Sequence, residues 1–151
     1  DVLASGAIAG YPVVDVKVTV YDGKHHSVDS KEIAFVTAGR KAFLAAVREA
    51  RPIVLEPMVN VEITAPDAAM GDITGDLSAK RGQVSGSANG ANGTMVIQAL
   101  APLSELTGYQ SRLNAMTSGQ GRYTIALSHY EPVPPSVQQQ LMGQFKVKEE
   151  D

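Results

Sequence analysis

The chain has 151 residues, of which 44% are hydrophobic, and its formal net charge at pH 7 is −3. This length allows one domain or two small ones, and the apolar content is ordinary for a folded protein. Because the chain has no cysteine, a disulfide framework, a thiolate metal site and a thiol nucleophile are excluded. The negative charge argues against a generally basic nucleic-acid-binding surface, so any contact with RNA must depend on local patches.

The N-terminus and the hydropathy of the chain bear on its localisation. No apolar run approaches the roughly 20 residues that a membrane span requires, and the N-terminus lacks the charged segment of a signal peptide. We therefore expect a soluble, cytoplasmic protein that makes no membrane contact. The first residue is Asp1 and the opening resembles the end of a structural element, so we also expect the chain to be a fragment.

The first third of the chain predicts a strand, an exposed loop and a helix. Valines alternate with polar residues over Val13–Tyr21, which predicts a strand with one solvent-facing side. Asp22 begins a turn that leads into a polar loop. Asp29 precedes Glu32 at the spacing of a capping box, and the Ala-rich run over residues 30–50 predicts the strongest helix in the chain.

The middle of the chain predicts a strand followed directly by a helix. Met58–Thr64 alternates apolar with polar residues, and Pro57 and Pro66 bracket it as expected for strand ends. Apolar residues at helical spacing then predict a helix over Asp67–Lys80, with Asp67 capping its first turn. Gly82 is the expected left-handed residue after its last turn.

The elements after this helix complete a repeating order of strand and helix. They are, in sequence, a strand over Gln83–Ser87, a turn over residues 88–93, a strand over Thr94–Ala101, a helix over Ser104–Met116, a strand from Tyr123 to Ser128 and a helix over Ser136–Phe145 with a charged tail. The order βαββαβ from residue 58 predicts a ferredoxin-like arrangement, in which two helices cover one face of a four-stranded antiparallel sheet.

The sequence offers few groups for catalysis or metal binding. His25 and His26 lie near Asp22 and Asp29, but adjacent histidines on a strand-like loop point in opposite directions and rarely hold one ion. We therefore predict a surface that contacts a partner, with a plain solvated loop as the alternative, and no metal site. No P-loop motif or nucleophile elbow is present, so we expect no catalytic residue and no cofactor in this chain.

Three glycines, Gly71, Gly75 and Gly82, lie within or just after the predicted helix that follows Pro66. A phosphate-binding loop would instead place its glycines between a strand and the N-terminus of a helix. We interpret these glycines as sites of close packing, with Gly82 as the helix C-cap.

Several separated motifs together resemble translation elongation factor G. They are Gly10–Val18, Val28–Ser30 with Ala34–Phe35, Leu55–Met58, Met70–Asp72 with Gly75–Leu77 and Arg81–Gly82, Pro102–Glu105 with Gly108–Tyr109, Met116–Thr117 and His129–Tyr130. The resemblance extends from about residue 10 to about residue 135, and it is specific because the motifs keep the family's order and spacing.

The resemblance implies an α+β chain with three parts. Residues 1–57 correspond to the latter part of the family's domain IV, which has a ribosomal-S5-like fold. Residues 58–133 correspond to the ferredoxin-like domain V, and residues 134–151 to a C-terminal helix and tail. The GTPase domain, which would bind GTP and Mg²⁺ in the parent protein, is absent from this chain.

The resemblance also implies a ribosome-binding portion of a translational GTPase that promotes tRNA–mRNA translocation. In that family the tip of domain IV contacts tRNA and mRNA at the decoding centre, and domain V docks near large-subunit rRNA. His26 falls on the histidine that the family uses at the tip, so the predicted tip contacts are Lys24, His25 and His26. The predicted rRNA-contacting residues are Lys80, Arg81, Arg112, Asn114, Gln120 and Arg122.

The chain departs from the family pattern at Asn114 and Gln120, where arginine is common, while Arg112 and Arg122 lie one or two positions away. Loss of phosphate-facing charge is expected to weaken rRNA docking and its salt dependence. A ribosome-recycling, specialised or organellar-type paralogue is therefore the nearest alternative.

A freestanding ferredoxin-like module that binds a small molecule or a protein through its sheet is the alternative from another class. An open pocket lined by polar groups on the uncovered sheet face would support it. In addition, a domain IV without its first strands exposes a strand edge, so we predict pairing between two copies of the chain.

Overall fold

The computed structural model describes residues 2–145, which form two compact units. One unit contains the described residues up to Val54 and those from Val133 onward, and the other is Leu55–Pro132. The helices are α1 (Val2–Ser5), α2 (Glu32–Glu49), α3 (Met70–Ala79), α4 (Tyr109–Thr117) and α5 (Pro135–Gln144). The strands are β1 (Leu55–Pro66), β2 (Gln83–Asn89), β3 (Thr94–Pro102) and β4 (Arg122–Pro132).

The unit Leu55–Pro132 is a four-stranded sheet with the spatial order β2-β3-β1-β4, in which all neighbouring strands are antiparallel. With α3 between β1 and β2 and α4 between β3 and β4, this is the predicted split βαβ, ferredoxin-like fold. β1 and β2 therefore run in one direction and β3 and β4 in the other. It follows that α3 and α4 also run antiparallel to each other.

Alternation along the two central strands separates a buried face from a solvent-facing one. β1 and β3 place their buried apolar side chains on the face that the helices cover, because successive residues of a strand point to opposite sides. The helical layer completes the core from Ile73, Leu77, Tyr109 and Leu113. The other face of the sheet carries polar side chains such as Gln98 and has no helix of this unit over it.

Pro66 is the last residue of β1, as predicted for a strand end, whereas Pro57 lies inside the strand, which begins at Leu55. Pro57 pairs only with β4, because pairing with β3 begins at Met58. Pro66 pairs only with β3, because pairing with β4 ends at Thr64. Each proline thus lies where one side of β1 has no partner strand, which is where a residue without an N–H is tolerated in a sheet.

The predicted helix starts need three corrections. The capping box at Asp29 does not form, since Lys31 is the N-cap of α2 and no side chain caps it. Asp67 opens a single 3₁₀ turn before α3 and does not cap it. The predicted helix Ser104–Met116 is interrupted at Gly108, whose φ of 70° is left-handed and ends the 3₁₀ turn before α4 begins.

In the other unit, the predicted strand Val13–Tyr21 is wrong. No neighbouring strand pairs with the segment within residues 2–145, and Asp15 within it has a left-handed φ of 56°. Alternate valines alone do not make a strand without a partner. The predicted pairing between two copies through an exposed strand edge stays a prediction. The predicted helix over residues 30–50 is confirmed as α2, although none of its residues is buried.

The predicted terminal helix is confirmed as α5, and its charged tail lies outside the described residues. Gln138 of α5 receives the Val54 N–H at Oε1 and donates from Nε2 to the Pro52 carbonyl, both at 3.0 Å. The Val133 N–H donates to the Val54 carbonyl at 2.9 Å. No helix among residues 2–145 is long and apolar enough to cross a membrane.

Gly75 and Gly121 differ in the space available for a side chain, and this difference gives a first prediction. The predicted close packing at Gly71 and Gly75 is wrong, because a Cβ at either position would meet no atom within 4 Å, whereas a Cβ at Gly121 would lie 2.7 Å from Leu113 Cγ. We expect Gly75→Ala to stabilise the chain by about 0.5–1 kcal/mol, because alanine loses less conformational entropy in a helix. We expect Gly121→Ala to destabilise it by about 1–3 kcal/mol through overpacking. Urea unfolding measures both, and equal effects would contradict the assignment.

Candidate functional site

The loop over residues 22–30 closes on itself through hydrogen bonds between His26 and Ser30. The His26 N–H donates to Ser30 Oγ, and the Ser30 N–H donates back to the His26 carbonyl at 3.1 Å. The turn also includes Asp29, whose Oδ2 lies 3.4 Å from His26 Nδ1. These hydrogen bonds fix the backbone of His26 within a segment that has no regular secondary structure.

The imidazole of His26 uses one ring nitrogen within its own loop. Nδ1 receives the Val28 N–H at 3.4 Å and is also the nitrogen that faces Asp29. Nε2 is therefore the nitrogen left for a group outside the loop. Lys24 and His25 are exposed beside it, so the three predicted tip residues form one solvent-facing cluster. Such a cluster can donate hydrogen bonds to phosphate or hydroxyl oxygens.

The end of α3 is closed by a Schellman motif, in which Arg81 and not Gly82 is the left-handed residue. Arg81 has a φ of 58°, and its N–H donates to the Ser78 carbonyl at 3.2 Å. The Gly82 N–H donates to the Leu77 carbonyl at 2.7 Å, which completes the pattern. Gly82 is required for space, since a Cβ there would lie 2.8 Å from that carbonyl oxygen.

The Arg81 guanidinium joins two carboxylates inside the ferredoxin-like unit. Its Nη1 and Nη2 donate to the two oxygens of Glu56, at 2.6 and 3.0 Å, and its Nε donates to Glu105 Oε1 at 3.1 Å. The hydrogen bond with Glu56 is the main cause that raises the pKa of Arg81, against an opposing effect of burial. Lys80 donates from Nζ to the Glu105 carbonyl at 3.2 Å. Both predicted rRNA contacts are thus engaged within the unit.

A second ion pair links the two helices. Arg112, at the first turn of α4, donates from Nε to Oδ1 of Asp76, whose side chain is only 4% exposed. The other Asp76 oxygen and the buried Tyr109 hydroxyl have no hydrogen-bond partner among residues 2–145. The Tyr109 ring packs edge-to-face on Tyr123, with centroids 5.2 Å apart. Burial, and next the nearby Asp76 carboxylate, raise the pKa of Tyr109 to about 12.

The turn between α4 and β4 is tightly hydrogen-bonded. Thr117 Oγ1 donates to the Leu113 carbonyl at 2.7 Å and receives the Gly121 N–H at 2.8 Å. Gln110 donates from Nε2 to Asn114 Oδ1 at 2.8 Å, so part of that amide is engaged within α4. The predicted contacts Gln120 and Arg122 are exposed in this turn and at the start of β4.

The six predicted rRNA contacts do not form one patch. Because α3 and α4 run antiparallel, Lys80 and Arg81 lie at the opposite end of the helical layer from Gln120 and Arg122. The acidic partners of these cations were not predicted from the sequence, and among them Asp76 is the one whose position in the sequence indicates a buried charge. It lies one position before Leu77 on the buried stripe of α3, where a charged residue needs a partner.

The uncovered sheet face carries a depression of about 390 Å³. Its lining includes the polar residues Asn60, Glu62, Ser85, Gln98 and Thr124. This is the feature that the alternative of a ligand- or protein-binding module requires. The lining has no aromatic side chain on which a base could stack. Within residues 2–145, no group of three or more His, Asp or Glu side chains is arranged to hold a metal ion.

The fold and these surfaces define an α+β chain that joins a ferredoxin-like domain to a second unit with an exposed loop. Comparison with known proteins shows that the family model "Elongation factor G, domain IV" matches residues 1–51 and the model "Elongation factor G C-terminus" matches residues 53–141. The chain belongs to the elongation factor G family.

A crystal structure of the protein ttk003000868 from Thermus thermophilus is similar to this chain. The two share 37% sequence identity with a TM-score of 0.72, over 94% of this chain and 21% of the other. The chain therefore spans about one fifth of that relative. Its family matches are to domain IV and the C-terminus of elongation factor G, which are parts of a translation elongation factor.

The left-handed conformation of Arg81 gives a second prediction. Arg81→Ala removes both ion pairs and leaves the buried Glu56 carboxylate unpaired, so we expect a loss of about 3 kcal/mol in unfolding free energy. Arg81→Gly should lose about 1 kcal/mol less, because glycine adopts positive φ without steric cost. Denaturant unfolding measures both, with exposed Arg48→Ala as the control expected to change little. Equal losses for the Ala and Gly variants would refute a strained backbone at this position.

The raised pKa of Tyr109 gives a third prediction, for alkaline pH. The folded state holds the phenolic proton more tightly than the unfolded state, whose tyrosine titrates near 10.0. This stabilisation is complete below pH 10 and is lost as the pH rises towards 12, by an amount on the order of 2 kcal/mol. Tyr109→Phe should remove that part of the decline and leave stability at pH 7 nearly unchanged, because the hydroxyl has no partner to lose. Unfolding curves from pH 8 to 12 test it, and parallel declines in both proteins would contradict it.

Proposed function

We propose that this chain is the ribosome-contacting C-terminal portion of a translational GTPase that promotes tRNA–mRNA translocation in the cytoplasm. The observation that carries the proposal is the loop over residues 22–30, which lies in the part matched by domain IV. It presents Lys24, His25 and His26 to solvent while its own hydrogen bonds hold His26 in place. Exposed donors of this kind suit phosphate and 2′-hydroxyl oxygens, which are contacted without reading base sequence.

The ferredoxin-like unit would contact large-subunit rRNA through the exposed side chains around the turn after α4. Gln120 and Arg122 are exposed there, and Arg122 supplies the positive charge that a phosphate contact needs. Arg81 is ion-paired with Glu56 and Glu105, and Lys80 donates to the Glu105 carbonyl, so we assign the rRNA contact to the turn after α4. GTP and Mg²⁺ would bind elsewhere in the parent protein, since this chain has no P-loop sequence to hold them.

A second candidate function is supported by the polar depression on the uncovered sheet face. A ferredoxin-like module that binds a small polar ligand or a protein would use this face, at Gln98 and Thr124 among others. The depression and the tip loop lie in different units, so substitutions at the two places separate the two functions.

The test is translocation by the parent factor, with ribosome-stimulated GTP hydrolysis measured in parallel. We expect His26→Ala to slow translocation about tenfold or more and to leave hydrolysis intact, because the tip acts after the factor has bound. Gln98→Arg, which fills the depression on the sheet, is the matched control and should change neither rate. Wild-type hydrolysis without translocation would replace the proposal by a ribosome-recycling or specialised paralogue. A loss of activity in Gln98→Arg alone would favour the second candidate.

A further inference from the structure

β4 is an edge strand of the ferredoxin-like unit, because the spatial order β2-β3-β1-β4 gives it a single neighbour, β1. All its residues are exposed except Tyr123, which is partly buried. From Tyr123 to His129 it contains no proline, no glycine and no Asp, Glu, Lys or Arg. Within residues 2–145, no other strand pairs with its outer side. A long, exposed strand edge of this composition is a template for a further strand.

The opposite edge of the sheet is protected against pairing in ways that β4 is not. β2 is shorter, and it contains Gly86 among small and polar side chains that offer little apolar area to a neighbour. Its pairing with β3 shifts register between Val84 and Gly86, and such an irregularity discourages further pairing. β4 keeps a regular register with β1 from Arg122 to Leu127. We therefore expect β4 to be the edge that accepts a partner.

Two apolar side chains of β4 lie where an added strand would cover them. Ile125 and Leu127 pair with Val61 and Val59 of β1, and directly opposed residues of an antiparallel pair share one face of the sheet. The two valines are 2% and 3% exposed, whereas Ile125 and Leu127 are 44% and 61% exposed. The helical layer thus covers β1 at this level and leaves β4 uncovered.

The residue order of β4 is self-complementary when its positions are counted along the pairing with β1. Ser128 is the extra residue of a bulge, because Leu127 pairs with Val59 and His129 pairs with the preceding residue of β1. With the bulge counted as one position, residues at equal distances on either side of Ala126 match in chemistry. The matched residues are Ile125 with Leu127, Thr124 with His129, Tyr123 with Tyr130, and Arg122 with Glu131.

A second β4 that runs antiparallel to the first, about a two-fold axis at Ala126, would bring these matched residues together. Each pair forms twice in such a contact, so apolar and aromatic pairs lie on one face and an ion pair lies at each end. Glu131 has one oxygen 2.7 Å from His129 Nε2, and its other oxygen can accept from Arg122 of the second copy. No like charges are opposed, and the small side chain of Ala126 lets the two strands approach at the axis.

We propose that β4 pairs antiparallel with β4 of a second copy of this chain, with Ala126 at the two-fold axis, and so joins two four-stranded sheets into one. A second copy is the favoured occupant because a single strand supplies both halves of the contact, including the opposite charges at its two ends. The inference does not rest on the proposed function. It also uses a different edge from the one predicted for the first third of the chain.

The absence of cysteine in the chain allows a test of the contact and of its register. Ala126→Cys in the full chain places a thiol opposite its own copy, at a separation that a disulfide can bridge. Thr124→Cys is the matched control, because it is exposed on the same face of β4 but would lie roughly 13 Å along the strand from its copy. We expect Ala126→Cys to form a disulfide-linked dimer about tenfold faster or more on mild oxidation. Equal rates, or a faster reaction of Thr124→Cys, would overturn the inference.

Sedimentation velocity of the cysteine-free chain gives a second readout. We expect the wild-type chain to dimerise with a Kd on the order of 100 μM, because one strand pair buries less surface than a standard interface. Arg122→Glu places two glutamates opposite each other at both ends of the contact and should raise the Kd about tenfold. Arg122→Glu combined with Glu131→Arg restores opposite charges and should return the Kd to near the wild-type value.

Both charged residues are exposed, so the variants should fold, and circular dichroism checks this. A wild-type chain that stays monomeric at about 1 mM would overturn the inference. So would a folded double variant that dimerises as weakly as Arg122→Glu, because restored charge complementarity is what the self-pairing predicts.

Discussion

The ion pairs between Arg81, Glu56 and Glu105 hold together three parts of the ferredoxin-like unit that are distant in sequence. Glu56 lies at the start of β1, Arg81 just after α3, and Glu105 in the 3₁₀ turn before α4. The Arg81 guanidinium therefore fixes where α3 ends relative to both β1 and the start of α4. The bidentate geometry with Glu56 adds direction to the charge attraction, which a lysine could not provide. A non-glycine residue in the left-handed conformation is accepted here because these contacts hold it.

Contacts within the unit also explain why few of its cationic side chains are available to a partner. Arg81 and Lys80 contact Glu105, and Arg112 is bound to the buried carboxylate of Asp76. Of the predicted rRNA-contacting residues, Arg122 is thus the cationic one for which neither an ion pair nor a side-chain hydrogen bond is seen within residues 2–145. A unit with this charge distribution does not present a continuous phosphate-binding surface.

Sequence patterns predicted the elements of the ferredoxin-like unit well and those of the other unit less well, for a physical reason. Met58–Thr64 and Thr94–Ala101 have partner strands within the same unit, so alternation and pairing agree. Val13–Tyr21 shows the same alternation without a paired strand, and periodicity cannot reveal whether a partner exists. The ion pair of Glu56 with Arg81 spans 25 residues and follows no helical or strand period, so no local rule predicts it. The exposed loop over residues 22–30 was predicted from its turn residues, which mark it locally, whereas its role as a tip was implied only by the family resemblance.

The antiparallel arrangement of α3 and α4 also has a mechanical consequence. It sets the Arg81 cluster and the Arg122 turn at opposite poles of one small body, separated by the length of α3, roughly 15 Å for ten residues. The strands run along the same axis, and their interstrand hydrogen bonds lie across it. Tension applied between the two poles would load those bonds in shear, so that many must yield together. We therefore expect the unit to resist extension along the line that joins its poles.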